Sequence, residues 1–192
     1  MFAIVQNGEI VKTIQPHQPF ELNGTQYTAK WTVRMSAEDK AALGITDIVV
    51  QPQPDQRFYW VQQQPVSLID GAPTITFTSS EKILEDREEV DEDGNPMYVK
   101  VLGEVNGEPA MVDSEERLVT KGLKSQWIDQ TKDNANKALA ATDWYVIRKA
   151  ERDVAIPAEV VAERAKIVSD CAAKEAAIAA ASTVEELIAV VA

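Results

Sequence analysis

The feature that most constrains this chain is a change in the spacing of its apolar residues. Up to Val112 they alternate within short runs; from Leu118 onward they recur three and four apart. A period of two belongs to strands and one near 3.6 to helices. The sequence therefore predicts an α+β fold in three parts. Residues 1–80 read as a small antiparallel β domain with a short helix near 37–43. Residues 81–117 read as an acidic β-hairpin or ribbon, and residues 118–192 as a helical domain.

Turn chemistry supports the first part. Asn7-Gly8 separates the runs 2–5 and 9–14, and Asn23-Gly24 separates 20–22 from 26–28. Such pairs favour two-residue hairpin turns. Trp31 and Val33 read as a further extended segment. Ser36 and Asp39 mark a capped helix with Ala41 and Leu43 facing inward, and Gly44 stops it. Residues 45–50 and 57–62 read as strands, the second with Phe58 and Trp60 on one face and Tyr59 and Val61 on the other. Asp70-Gly71 turns a third hairpin. Strand aromatics ordinarily pack in a core; the alternative makes them a sugar-binding shelf.

The charge is concentrated. Of a net −12, residues 81–117 carry −9, from 13 acidic and 4 basic side chains. A strongly acidic chain does not suit nucleic acid or an anionic membrane as partner. No apolar run reaches the roughly 20 residues of a membrane span, and Met1–Val5 lacks the charged start of a signal peptide. Asp91-x-Asp93-x-Asn95 resembles the start of a calcium loop. The sixth and twelfth positions of such a loop need Gly and Glu; here they are Pro96 and Leu102. The run therefore reads as a solvated turn, with Asp91 and Asp93 free for a partner.

In the last part, Leu123, Trp127, Thr131, Ala135 and Leu139 share one helical face, with Ala138 beside them. Thr142 reads as the N-cap of a second helix, Trp144 to Glu151. At this corner Trp144 and Ile147 read as core; the alternative makes Trp144 and Tyr145 a partner-binding face. Pro157 opens a long helix to about Ala180, with Val160, Val161, Ile167, Val168, Cys171 and Ile178 as its apolar stripe. Ser182 and Glu185 read as a capping box for a final helix. The expected core joins Leu123, Trp127, Leu139, Trp144, Ile147, Val160, Ile167, Val168, Leu187 and Ile188.

No catalytic residue set emerges. The one His, His17, and the one Cys, Cys171, stand in a Pro-rich loop and on an apolar stripe. No metal-ligand or cofactor-binding spacing is present, and no serine has a nucleophile-elbow context. The expectation is a non-enzymatic protein that needs no cofactor.

Three segments resemble small bacteriophage tail proteins. They are NGEIVK with PFELNGTQYTAKW and SAEDKAALGI, then DQRFYWV, then LKSQWIDQTKDNANKALAATDWYVIRKAERDVAIPAEVVAERAKIV. The last is the most specific, because a helix, a TDW(Y/M)VIR corner and an (I/V)P helix start recur in tail-fibre-associated proteins. The resemblance implies a virion tail component made in the bacterial host cytoplasm. It would bind other tail proteins, of fibre or baseplate, and form a homo-oligomer. Tail-fibre assembly chaperones share a similar corner, so a chaperone not retained in the virion is the alternative. A host-surface glycan-binding module is another. The 81–117 segment falls outside the resemblance.

Overall fold

The computed structural model describes residues 1–192. It is α+β, with small sheets and six helices. Its contacts divide it into two units, Met1–Ser80 and Glu81–Ala192.

The first unit begins with β1 (Phe2–Gln6) and β2 (Glu9–Ile14), joined by the expected Asn7-Gly8 turn. Both turn residues have positive φ, which Asn tolerates and Gly adopts freely. β3 (Phe20–Leu22) and β4 (Thr25–Tyr27) form the second hairpin. Residues 29–34 are not extended. They form α1 (Ala29–Arg34). Helical spacing lets Trp31 and Met35 reach the same core, whereas an extended chain would have put Val33 beside Trp31; Val33 is exposed. Trp31 also packs at 4.7 Å from Tyr27, whose ring stacks at 4.8 Å on Phe20.

α2 (Ala37–Ala42) carries the expected capping box between Ser36 and Asp39. The backbone N–H of Ser36 leads the hydrogen bonds that hold the Asp39 carboxyl below its usual range. Ala41, expected inside, is exposed; only Leu43 packs inward from the helix end. Gly44 has φ +66, and a Cβ there would press on the Val5 carbonyl. β5 (Ile45–Asp47) then pairs with β1 and completes a core of Ile4, Ile14, Phe20, Leu22 and Ile45.

The strand expected over 45–50 breaks at Ile48. Its second piece, β6 (Val49–Val50), leaves for another sheet. After it come β7 (Tyr59–Gln63), β8 (Ser67–Ile69), β9 (Ala72–Ile75) and β10 (Phe77–Glu81). β8 and β9 are the Asp70-Gly71 hairpin, and β6 pairs with β9 in parallel, an exception to the antiparallel expectation. β10 pairs with β7 alone. Phe58 lies in the turn before β7, so strand alternation does not govern it. It is 1% exposed while Trp60 is 67% exposed, so the two do not share a face.

The second unit starts with an acidic arm. β11 (Arg87–Glu88), β12 (Tyr98–Val105) and β13 (Glu108–Arg117) are followed by β14 (Val119–Thr120), which pairs back onto β11. β12 and β13 are a two-stranded ribbon turned at Asn106-Gly107. The helices follow: α3 (Leu123–Ala140), α4 (Asp143–Arg152), α5 (Ala158–Ala180) and α6 (Val184–Val191). None is long and apolar enough to cross a membrane.

α3 packs on α5, and α5 on α6. Leu123 is buried; Trp127, Thr131, Ala135 and Leu139 are half-buried on the expected face, and Ala138 is exposed. On α5 the inward stripe is Val160, Arg164, Ile167, Cys171, Glu175 and Ile178. Val161 and Val168 lie one residue off it, turned by about 100°, and are 51% and 56% exposed. Val161 thus leaves the expected stripe, and Val168 leaves the expected core, as do Trp144 and Ile147 at 50% and 56%. Leu187 is buried as expected, joined by Val184 and Ala181, which the expected core did not include. The last cap is shifted by one residue: Thr183 accepts from the Glu186 N–H, and Glu186 accepts from the Ser182 N–H.

The acidic arm closes the start of α3. Leu123 and Lys124 donate backbone hydrogen bonds to Ile83 and Leu84. Gly122, the N-cap, has no side chain to offer. Asp86 replaces it: its carboxylate accepts from the Gly122 N–H at 2.8 Å and the Ser125 hydroxyl at 2.9 Å. These bonds, the Gly122 N–H first, hold the Asp86 carboxyl below its usual range. A Cβ at Gly122 would collide with the Glu85 backbone carbonyl.

Gly122→Ala should therefore destabilise the second unit by about 1–3 kcal/mol, although its φ of −74° suits alanine. Urea denaturation would show it. Asp86→Ala should cost about 1 kcal/mol, as loss of an N-cap does. Because the folded pKa is depressed, Asp86 stabilises above the unfolded value of about 4 and loses that effect as pH falls through the lower folded value. The difference in melting temperature between wild type and Asp86→Ala should accordingly shrink below about pH 4.

Candidate functional site

The corner between α3 and α4 is held from outside both helices. The last carbonyls of a helix have no partner within it. Here a single nitrogen of Arg164, on α5, donates to the Leu139 carbonyl at 2.8 Å, the Thr142 hydroxyl at 2.7 Å and Asp143 Oδ1 at 2.9 Å. The cation sits where the α3 dipole is negative, and Asp143 lies in the first turn of α4. Thr142 does not cap α4 as the sequence suggested. Its hydroxyl donates back to Leu139 and accepts from Arg164.

Held this way, α4 buries none of its residues. A surface helix ordinarily hides an apolar stripe. This one leaves Trp144, Val146 and Ile147 open, with Val154 just beyond its end. Trp144 and Ile147 are three apart and share a face. Tyr145, half-buried, places its ring 3.7 Å from that of Trp144, and the Arg148 guanidinium lies 4.9 Å from one centroid and 5.2 Å from the other. Trp, Tyr and Arg are the residue types that dominate protein-binding hot spots. Of the two readings of this corner, the geometry places Trp144 on the surface rather than in the core.

The other two candidate partner residues are differently placed. Asp91 Oδ1 accepts from the backbone N–H groups of Asp93 and Asn95 at 3.0 and 2.8 Å, and Oδ2 accepts from the Asn95 amide at 3.1 Å. The Asn95 N–H leads the bonds that lower its pKa. Its carboxylate thus builds its own turn. Asp93 is exposed at the tip of that turn. No hydrogen bond, ion pair or ring contact joins these two residues to α4. No group of three His, Cys, Asp or Glu side chains is placed to hold a metal ion.

Cys171 is only half-buried. Its thiol donates to Glu175 Oε1 at 3.2 Å, and that bond raises its pKa, which keeps it protonated and poorly nucleophilic. Glu175 in turn pairs with Lys132 across a groove of about 310 Å³ between α5 and α3. His17 sits in its loop at φ +64, its backbone N–H donating to Thr32.

Sequence spacing missed Arg164, because it reads as a charge flanking an apolar stripe. Only its place opposite the α3 terminus shows its role. Trp144→Ala should leave stability within about 1 kcal/mol of wild type, since half of the ring already meets water. Arg164→Ala should cost about 1–3 kcal/mol by stranding part-buried acceptors. Paired urea melts would test the contrast. Compared with known proteins, the chain matches no family model, and no curated protein or solved structure is detectably similar to it.

Proposed function

We propose that this chain is a non-enzymatic bacteriophage tail component that works by binding other tail proteins, of fibre or baseplate, and further copies of itself. The observation that carries this is α4, an amphipathic helix with no buried residue and an open Trp144–Ile147 face. A second open stripe runs along α5 through Val161 and Val168, seven residues apart. That spacing suits a helix from another chain.

Surface area supports the reading. The chain exposes 13139 Å². Two compact units of 80 and 112 residues, wholly separate from each other, would expose only about 11,000 Å². The excess is larger than the roughly 800 Å² per partner that a stable interface buries. The TDWYVIR corner that carries the resemblance to tail-fibre-associated proteins is the same segment that lies open. Carriage in the virion tail follows from that reading.

A protein census of purified particles by mass spectrometry should find the chain at fixed stoichiometry, and light scattering should give a mass above that of the monomer. Trp144→Ala should reduce incorporation at least about tenfold, as loss of a hot spot does. A monomer absent from particles but bound to unassembled fibre would replace this reading with that of an assembly chaperone.

A further inference from the structure

We infer that the cationic cavity on α1 receives the acidic turn at Glu92 and Asp93 of a second copy of this chain. The inference rests on the self-association proposed above and adds to it a contact between two surfaces other than the helical faces.

The cavity has a volume of about 350 Å³ and is lined by His17, Ala29, Lys30, Val33 and Arg34. Ligand-sized cavities begin at about 300 Å³. Lys30, Val33 and Arg34 recur three and four apart on α1, which sets them on one face. Trp31 packs on the core instead, and Thr32 is buried. The Thr32 hydroxyl brings the preceding loop to the helix. It donates to the Ala29 carbonyl at 2.8 Å and accepts from the His17 backbone N–H at 3.0 Å. His17 is thereby held beside the cationic face, where its ring offers an N–H in either charge state. No lining residue is acidic.

These charges are unanswered within the chain. Like charges four apart on a helix repel. The other basic side chains of the first unit are all held: Lys40 by Asp47, Arg57 by Asp55, and Lys12 by the Glu21 carbonyl. Lys30 and Arg34 make no ion pair and no hydrogen bond, although the chain has 31 acidic residues for 19 basic ones. The ligand class is accordingly anionic.

The chain itself carries the complement. Glu92 and Asp93 are exposed, and neither carboxylate makes an ion pair or a hydrogen bond. The turn that presents them is ordered by its own bonds. Asp91 Oδ1 accepts from the Asp93 and Asn95 N–H groups, and the Gly94 N–H donates to the Asp91 carbonyl at 3.0 Å. A preordered turn loses little freedom on binding. Two adjacent carboxylates thus meet two cations four apart, and each copy holds both halves of the contact. At physiological salt the screening length of about 8 Å lets these local charges act despite the net −12 of each copy. Exposed ion pairs bind weakly; in an assembly the helical contacts would supply the effective concentration at which such a contact forms.

The test follows amide signals of the full-length chain in ¹H–¹⁵N spectra as protein concentration rises at low salt. Lys30, Val33, Arg34, Glu92 and Asp93 should move together, with Kd near about 1 mM. At about 1 M salt, where the screening length falls to about 3 Å, the movement should be lost. Two charge-reversed proteins complete the test, Lys30→Glu with Arg34→Glu and Glu92→Lys with Asp93→Lys. All four side chains are exposed, so reversal leaves core packing intact. Each protein alone should associate at least about tenfold more weakly than wild type, and a one-to-one mixture should return to within about threefold of it. The inference is overturned if the five signals ignore protein concentration, if either reversed protein associates as wild type does, or if the mixture fails to restore the contact. Movement at Trp144 and Val168 reports the helical contacts separately. If those signals move with concentration and the five do not, this inference alone fails; if the five move and those do not, the helical contacts alone fail.

Discussion

The second unit depends on how the start of α3 is closed. A helix begins with N–H groups that have no partner inside it. Most helices answer this with a capping side chain from the residue just before. Here that residue is Gly122, and the cap comes from Asp86, 36 positions earlier. The substitution ties two features together. The acidic arm can approach the helix only because Gly122 has no Cβ. The helix start, with its positive dipole end, is in turn a favourable place for an acidic segment. Lys124 adds an ion pair with Glu85, and Lys121 pairs with Asp129 in the second turn of the helix. The arm's carboxylates near this junction are therefore local complements to a helix terminus as well as a source of net charge.

Much of this fold was legible wherever the signal was local. Asn-Gly and Asp-Gly pairs gave three hairpins and the ribbon turn, because those residues alone adopt the required φ cheaply. The Ser36–Asp39 box needed only four residues. What spacing could not show was which of several apolar faces finds a partner. α5 has two stripes one residue apart, and both satisfy a helical period. Only the position of α3 decides that Val160 and Ile167 turn inward while Val161 and Val168 turn out. Trp31 and Val33 misled for a related reason. Two apolar residues two apart suggest a strand, but the pair that packs is Trp31 and Met35, four apart. Long-range polar contacts were invisible altogether: nothing near Asp86 or Arg164 in the sequence names Gly122 or Leu139 as a partner.

The same limit applied to the site. The sequence placed Trp144 and Tyr145 at a helical joint and read Trp144 as core, with a partner-binding face as the alternative. Exposure separates them, since Trp144 keeps half of its surface in water. The reason is Arg164. By taking the Leu139 carbonyl, the Thr142 hydroxyl and Asp143 together, it fixes the corner through polar contacts. The aromatic pair is thereby released from holding the joint. A corner secured by its aromatics would have no apolar face to offer.

The ribbon raises the opposite question, how a two-stranded sheet with no covering layer persists. An isolated hairpin is marginal in water. This one is tied at its base, where β11 pairs with β14 and Arg117 pairs with Glu88 at 3.0 Å. Along its length Lys100 faces Asp113 at 2.7 Å, and Leu102 faces Met111. Gly103 leaves room for the Val112 side chain, which would strike any Cβ there. Its edges remain unpaired, and an unpaired edge invites another strand. Glu104, Glu108, Glu115 and Glu116 carry like charge along those strands. Two such ribbons brought edge to edge repel one another, more strongly at low salt. Under the self-assembly proposed above, this repulsion would keep ribbons apart while the helical faces around Trp144 and Ile147 remain free to meet. Charge and apolar surface are thus divided between different elements of one unit, and that division favours helical contact over strand pairing.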